Sequence, residues 1–420
     1  MLLVLYSTLF YLFTPVLLLR LWWRGRKAPG YRRNWAQRLG LGAAIRQPVI
    51  WVHAVSVGET VAIAPLVRWL LVRYPQHRVL ITNMTPTGAE QVRTLFGDRV
   101  EQRFCPWDLP LALKAFLRRA QPELCIIVET ELWPNMVAQC ARAGVPVLLA
   151  NARLSERSAR GYRKFSALAR PMLQRLSLIA AQNKADAERF VALGTPDEQV
   201  EVTGSIKFDL QPDADKVQAG RALRQQLGAE RPVLIAASTH QGEDEILLAA
   251  WQQLKATHPD LVLILVPRHP ERFADVARLC SRYSERLVCR SRGEQPDTQT
   301  ELLLGDTMGE LMLFYTAADI AFVGGSFSGT GGHNPLEPAA LGLPVVMGPD
   351  CFNFQTITDA LVEAGGLVRV DDGDALQAQL SAWLGDAAQR RAAGEQGAGF
   401  VAANRGALER LQQAVERLLG

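Results

Sequence analysis

From Pro48 onward, short runs of mostly β-branched apolar residues alternate with polar or Gly/Pro turns and amphipathic stretches. In the first half, strands are predicted at Val49–His53, Val79–Thr82, Leu124–Val128, Val145–Ala150 and Leu176–Ala181. Helical stretches such as Val61–Tyr74, Leu111–Arg119 and Lys184–Leu193 separate them. Strands that are apolar at every position, not every second one, are buried on both faces. Alternating with helices, they predict a parallel, doubly wound sheet. The rhythm fades between Gly204 and Arg231, where charges crowd around Gln211 and Pro212. It resumes with Val233–Ala237, Leu261–Val266, Leu302–Leu304, Ile320–Val323 and Val345–Met347. This predicts two Rossmann-like α/β domains, residues 31–205 and 206–420, with a junction near residues 205–230. Ala407–Leu419 reads as an amphipathic helix able to pack back on the first domain.

Ahead of that pattern lies a different one. Leu2 to Leu19 is uncharged and mostly apolar, interrupted by Tyr6, Ser7, Thr8, Tyr11, Thr14 and Pro15. As a helix it covers about 27 Å, slightly short of the roughly 30 Å hydrocarbon core of a bilayer. Trp22 and Trp23 follow, where an interfacial aromatic belt falls, within the basic cluster Arg20, Arg24, Arg26, Lys27, Arg32 and Arg33. A cleaved signal peptide carries its charge before the apolar run and a small-residue cleavage site after it, and neither is found. A buried core helix is the competing reading, and the dense basic flank argues against it. Residues 1–30 are therefore expected to be a membrane anchor with a basic interfacial segment. The body is expected on the cytoplasmic side, near anionic headgroups or a phosphorylated lipid.

Composition narrows the class. A chain of 420 residues suits two ordinary domains, and with 48% hydrophobic and 21% charged residues disorder is excluded. The six cysteines form no C-x-x-C pair, so neither a disulfide framework nor a zinc site is implied. The net charge of +4 is a local N-terminal feature, since no acid precedes Glu59. A basic face for nucleic acid is not indicated.

In open parallel sheets ligands bind outside the carboxyl ends of the strands, so the loops after strands are searched for chemistry. After Val49–His53 comes Ala54 to Thr60, opening a helix that carries Glu59 in its first turn. That glutamate is either a helix N-terminal acid with a stabilised charge or, if desolvated, a general base. After Val128 come Glu129 and Glu131, which point apart if extended. One can serve a site while the other caps the next helix, or both are exposed helix-starting acids. Arg268 follows Val266 and Pro267, where its planar fork suits a phosphate. Gly305-Asp306-Thr307-Met308-Gly309-Glu310 is a small-residue turn opening a helix. Gly324 to His333 is glycine-rich and leads into Asn334-Pro335-Leu336-Glu337. Such backbone approaches phosphate closely, with Glu337 placed to accept from ribose hydroxyls. No P-loop, G-x-G-x-x-G or H-E-x-x-H motif occurs, and the stretch Gly325 to Gly329 has Phe327 where a nucleophile elbow needs serine. The D-x-D spellings at Asp213–Asp215 and Asp372–Asp374 lie in polar connections, and the six histidines, His53 and His269 included, show no ligand spacing. No metal or cofactor is expected.

Taken in order, several of these loops form a more specific pattern. Ser56 to Thr60, Met84 to Gly88, Glu129 to Asn135, Asn151 to Ser155, Gly204 to Asp209, Pro267 to Arg272, Gly305 to Glu310 and Gly332 to Glu337 closely resemble the 3-deoxy-D-manno-octulosonic acid (Kdo) transferases. The resemblance runs from the N-terminal segment to about residue 370. It implies a GT-B fold of two facing Rossmann-like domains, the first binding acceptor and the second the CMP-sugar. It implies inverting, metal-independent transfer of Kdo from CMP-Kdo to a lipid A precursor (lipid IVA) in lipopolysaccharide biosynthesis. By the same resemblance Glu59 is the general base, and Glu129 and Lys207 are the pair supporting the transition state. Arg268, His269, Met308, Gly309, Glu310, Asn334, Pro335, Leu336 and Glu337 contact CMP. Lys207 is implied by the resemblance alone. Two alternatives stay open: another GT-B transferase using a UDP-sugar, and a membrane-tethered, non-catalytic sugar-nucleotide-binding module. Protection by CMP against UDP separates the first, and tolerance of Glu59 loss the second.

Overall fold

Among the described residues, the strands assemble into two separate seven-stranded sheets, and every pairing within them is parallel. The computed structural model describes residues 2–26, 28–210 and 213–420. Lys27 of the basic cluster and the Gln211-Pro212 step lie outside the described residues. The chain divides into one unit ending at Asp209 and completed by Arg405–Gly420, and a second unit, Leu210–Asn404.

The first unit contains β1 (Val49–His53), β2 (Arg78–Asn83), β3 (Glu101–Phe104), β4 (Pro122–Val128), β5 (Val147–Ala152), β6 (Leu178–Ala181) and β7 (Val200–Val202). Their order across the sheet is β3-β2-β1-β4-β5-β6-β7, so the direction of winding reverses between β1 and β4. Every β1 side chain is buried, because successive residues feed opposite layers. Val49 and Trp51 pack with Leu113, Phe116 and Leu149, while Ile50 and Val52 pack with Ile63, Leu66 and Val67. Each such side chain contributes about 1.5–3 kcal/mol by leaving water.

Both ends of the chain belong to this unit. The helix Ala407–Leu419 buries Ala407, Leu411, Ala414 and Val415 in the layer that contains Ile63 and Leu66. Asp209 fixes its start, its carboxylate accepting the Gly406 and Leu408 N–H groups at 2.6 Å each. At the other end, the helix Leu2–Arg24 rests Phe10, Leu17, Leu18 and Leu21 against Trp107, Leu109 and Ala112.

The second unit repeats the architecture with β8 (Val233–Thr239), β9 (Val262–Pro267), β10 (Leu287–Cys289), β11 (Leu302–Leu304), β12 (Ile320–Val323), β13 (Val345–Met347) and β14 (Leu367–Arg369). The order is β10-β11-β9-β8-β12-β13-β14, with the reversal between β8 and β12. Leu234 and Ala236 face Trp251, Phe322 and Trp383, while Ile235 and Ala237 face Leu227, Phe314 and Tyr315. In each unit the loops flanking the reversal define the crevice where ligands of such sheets bind.

Candidate active site

In the first unit the reversal is flanked by the loops after β1 and β4, which carry Glu59 and Glu129. Ser56 caps the helix Val57–Arg73, its Oγ accepting the Glu59 N–H at 3.3 Å. Glu59 reaches back: Oε1 accepts the Ser56 hydroxyl at 2.9 Å and Oε2 the Val55 N–H at 2.7 Å. This is a variant of the S-x-x-E capping box in which the glutamate accepts the N–H one residue ahead of the cap, and it locks the carboxylate in one place. Burial raises the Glu59 pKa above the ordinary carboxyl range. The Val55 N–H and Ser56 hydroxyl oppose that shift, while Glu129 and Glu131 add to it. Glu59 is thus both part of the helix cap and a partly desolvated carboxylate.

Glu129 sits at the end of β4 with a left-handed backbone, φ 59°. Asn151 (φ 53°) at the end of β5 and Ser238 (φ 57°) near the end of β8 share that conformation. For residues with a side chain it costs about 1–3 kcal/mol, and such strain concentrates at functional sites. Asn151 also orders the chain around Lys207, since its Oδ1 accepts the Ile206 N–H at 3.2 Å. Lys207, in the turn Ile206–Phe208, places its Nζ 3.5 Å from Glu129 Oε1. Burial and the Glu129 charge push the Glu131 carboxyl upward. The crest therefore gathers three carboxyls and one ammonium around the winding reversal.

The second unit has a cavity of about 280 Å³ at its own strand ends, lined by Arg268, Met308, Gly309, His333, Asn334 and Glu337 among others. Glu337 opens the short helix Leu336–Ala340, and burial raises its pKa, against a 3.3 Å hydrogen bond from Asn334 Nδ2. Asn334 Oδ1 in turn accepts the Leu336 N–H at 3.1 Å. His269, Glu310, Pro335 and Leu336 are not among the residues lining this cavity. Glu310 stands behind the Thr307–Gly309 turn, gripped by Arg290 Nε and Nη2 at 3.1 and 2.8 Å and by the Thr307 hydroxyl. Arg290 holds its carboxyl below the ordinary range.

Sequence reasoning passed over the loop after β8, although the rule that singled out the others applies to it equally. Glu243, 1% exposed, accepts four backbone N–H groups, from His240 and Gly325 at 2.8 Å and from Ser326 and Phe327 at 2.9 Å. Its carboxylate is the peg around which the glycine-rich turn after β12 is wound. Gly324 is required there, since a Cβ would meet the Ser238 carbonyl oxygen at 2.6 Å. His240 and His333 lie edge to edge with their planes 13° apart and their Nε2 atoms 2.8 Å apart, so one ring donates to the other. Burial, Arg268 and the neighbouring histidines hold His333 down to about 4. It lines the cavity as a neutral ring. Among the described residues, no group of three or more His, Cys, Asp or Glu is placed to hold a metal ion.

Comparison with known proteins identifies the lineage of this arrangement. Residues 33–210 match the family described as 3-deoxy-D-manno-octulosonic-acid transferase (kdotransferase), and residues 235–400 match glycosyl transferases group 1. A 3-deoxy-D-manno-octulosonic acid transferase of Haemophilus influenzae is 44% identical over 410 residues, covering 97% of this chain and 96% of that protein. One from Bordetella pertussis is 36% identical over 420 residues, covering 97% of each. Among solved structures, UDP-GlcNAc 2-epimerase from Neisseria meningitidis superposes with a TM-score of 0.60 over 88% of this chain and all of that one. At 14% identity that likeness speaks for the GT-B fold alone. By family and fold, the chain is a glycosyltransferase and belongs to the 3-deoxy-D-manno-octulosonic acid transferases.

Proposed function

We propose that this chain transfers Kdo from CMP-Kdo to a lipid A precursor, lipid IVA, with inversion and without a metal, at the cytoplasmic face of a bacterial inner membrane. The observation that carries the chemistry is the locked Glu59 carboxylate at the winding reversal, with Glu129 after the neighbouring strand paired to Lys207. An acceptor hydroxyl attacks the anomeric carbon of Kdo opposite the departing phosphate. The new C–O bond forms as the bond to the CMP phosphate breaks, and the hydroxyl proton passes to Glu59. Each carboxylate oxygen keeps a lone pair beyond its resting hydrogen bond, so the base need not leave its cap. Charge grows on the phosphate, and the group set to receive it is the Arg268 guanidinium on the cavity wall, with the Asn334-Pro335-Leu336-Glu337 turn beside it. Glu337 takes ribose hydroxyls. His269 and the Met308–Gly309–Glu310 turn complete the CMP contacts, with Glu310 acting through the turn it braces. Lys207, held by Glu129, supports the transition state.

The test is an assay of the full chain with CMP-Kdo and a tetraacyl lipid A precursor in the presence of EDTA, reading the mass of the lipid. A gain of one or more Kdo units is expected. An unchanged lipid with folded protein and intact donor rejects the reading and directs the assay to UDP-sugars.

The raised Glu59 pKa predicts the pH dependence. Turnover requires the deprotonated base, so it rises with pH as Glu59 ionises. The acid limb of kcat/KM is expected to have its midpoint above the ordinary carboxyl value of 4.5. A limb at or below that value would remove Glu59 as the titrating base.

A further inference from the structure

We infer that the N-terminal helix lies in the plane of the leaflet, docked lengthwise on the first unit, instead of crossing the bilayer. This posture rests on the membrane attachment proposed above, and it specifies which surface meets the lipid.

The helix Leu2–Arg24 has 23 residues, a length of about 35 Å. It is the one helix among the described residues long and apolar enough to cross a membrane. Yet one stripe of it is committed to protein over most of that length. The Ser7 hydroxyl donates to Asn135 Oδ1 at 3.0 Å, and the Tyr6 hydroxyl donates to Asp108. Tyr11 Oη accepts the Leu111 N–H at 3.1 Å. Further along, Phe10, Leu17, Leu18 and Leu21 pack on Trp107, Leu109 and Ala112. Helical spacing puts these residues on one side.

The other side is also apolar and is open. Leu5, Leu12 and Leu19 are 55%, 69% and 66% exposed, and Leu9, Val16 and Trp23 continue the same row. A helix apolar all round with only one stripe covered needs an apolar medium on the rest. Beside it, the helix Pro110–Ala120 carries exposed Lys114 and Arg118. If the N-terminal helix spanned the bilayer in this docked state, those charges would be drawn into hydrocarbon, which is costly. Lying flat, it sinks only its open face, with Arg20, Arg24 and Arg26 left at the level of anionic headgroups.

Besides the helix starts at Leu111 and Asn135, the stripe meets three loops that follow strands. Phe10 borders a small void with Met84 after β2, Cys105 to Asp108 after β3 and Trp133 after β4. Tyr6 walls an apolar groove of about 450 Å³ with Leu132, Trp133 and the exposed Phe165. A helix in the leaflet plane therefore sets the carboxyl ends of the first sheet against the lipid. An acceptor can then present its sugar at the Glu59 loop while its acyl chains stay in the membrane.

The test uses the full chain with single cysteines replacing Leu5, Leu12 or Leu19, spin-labelled and reconstituted in phosphatidylethanolamine–phosphatidylglycerol vesicles. The six native cysteines are buried, so labelling is selective. Power saturation with oxygen and a nickel chelate reads the depth of each label. The expected result is three shallow depths, about 5–10 Å below the headgroups, agreeing within one helical turn of about 5 Å. A spanning helix would spread them by about 21 Å, with the middle label near the bilayer centre. That outcome overturns the posture while sparing membrane attachment. Three labels in water overturn both, and neither outcome touches the transfer assay.

Discussion

Glu59→Gln is expected to lower turnover by about 10²–10⁴-fold, or about 3–5.5 kcal/mol of barrier, with CMP affinity unchanged by calorimetry. Glutamine is the informative replacement because its shape preserves most of the local structure. Its amide oxygen can still accept the Val55 N–H, now at 2.7 Å from the carboxylate, and Ser56 still caps the helix. What it cannot do is take a proton. Alanine would also remove the capping contact, typically worth about 1 kcal/mol, and would blur lost chemistry with lost structure. CMP binding is expected to survive because the candidate nucleotide cavity is built entirely by the second unit. A Glu59→Gln protein that melts normally and turns over within threefold of the parent would exclude Glu59 as the base.

The continuous apolar strands made the doubly wound sheets legible in the sequence, because burial on both faces leaves no alternation to misread. In the first sheet β3 and β7 were not: Glu101-Gln102-Arg103-Phe104 is mostly polar, and Val200-Glu201-Val202 is three residues long. Both are edge strands, where the outer side lacks a neighbour and polar side chains are tolerated. The same logic separates the parts of the site. Glu59 and Glu129 were visible because they follow strong strands directly. Lys207 lies in a turn after the weak edge strand β7, and only resemblance singled it out. Its approach to Glu129 depends on Asn151 holding the Ile206 N–H, a contact between residues 55 positions apart. Glu243 was hidden differently: in sequence it is one of three acids opening a helix, along with Asp244 and Glu245. Nothing local distinguishes the acid that turns inward, because its partners arrive about eighty residues later.

That inward turn makes Glu243→Ala the second large effect, this time on stability and nucleotide affinity together. The substitution leaves the N–H groups of His240, Gly325, Ser326 and Phe327 without their acceptor in a site closed to solvent. Each unsatisfied buried donor costs about 1–3 kcal/mol, less where water enters the vacated space. A total loss of at least about 3 kcal/mol follows. At about 2–4 °C per kcal/mol for a domain of this size, the transition of the second unit should fall by roughly 6–12 °C. The two units need not melt together, so scanning calorimetry must resolve the transitions before a shift is assigned. CMP affinity should fall as well, because the turn that Glu243 winds leads directly into His333 and Asn334 on the cavity wall. Glu243→Gln keeps one acceptor oxygen and sets an –NH₂ against donors, so it should lie between alanine and the parent. If Glu243→Ala melts within a degree or two of the parent, the glycine-rich turn holds its shape without the carboxylate. In that case its conformation would come from the close approach at Gly324 and from Ser326, whose hydroxyl bridges the Val323 carbonyl and the Gly348 N–H at 2.8 Å each.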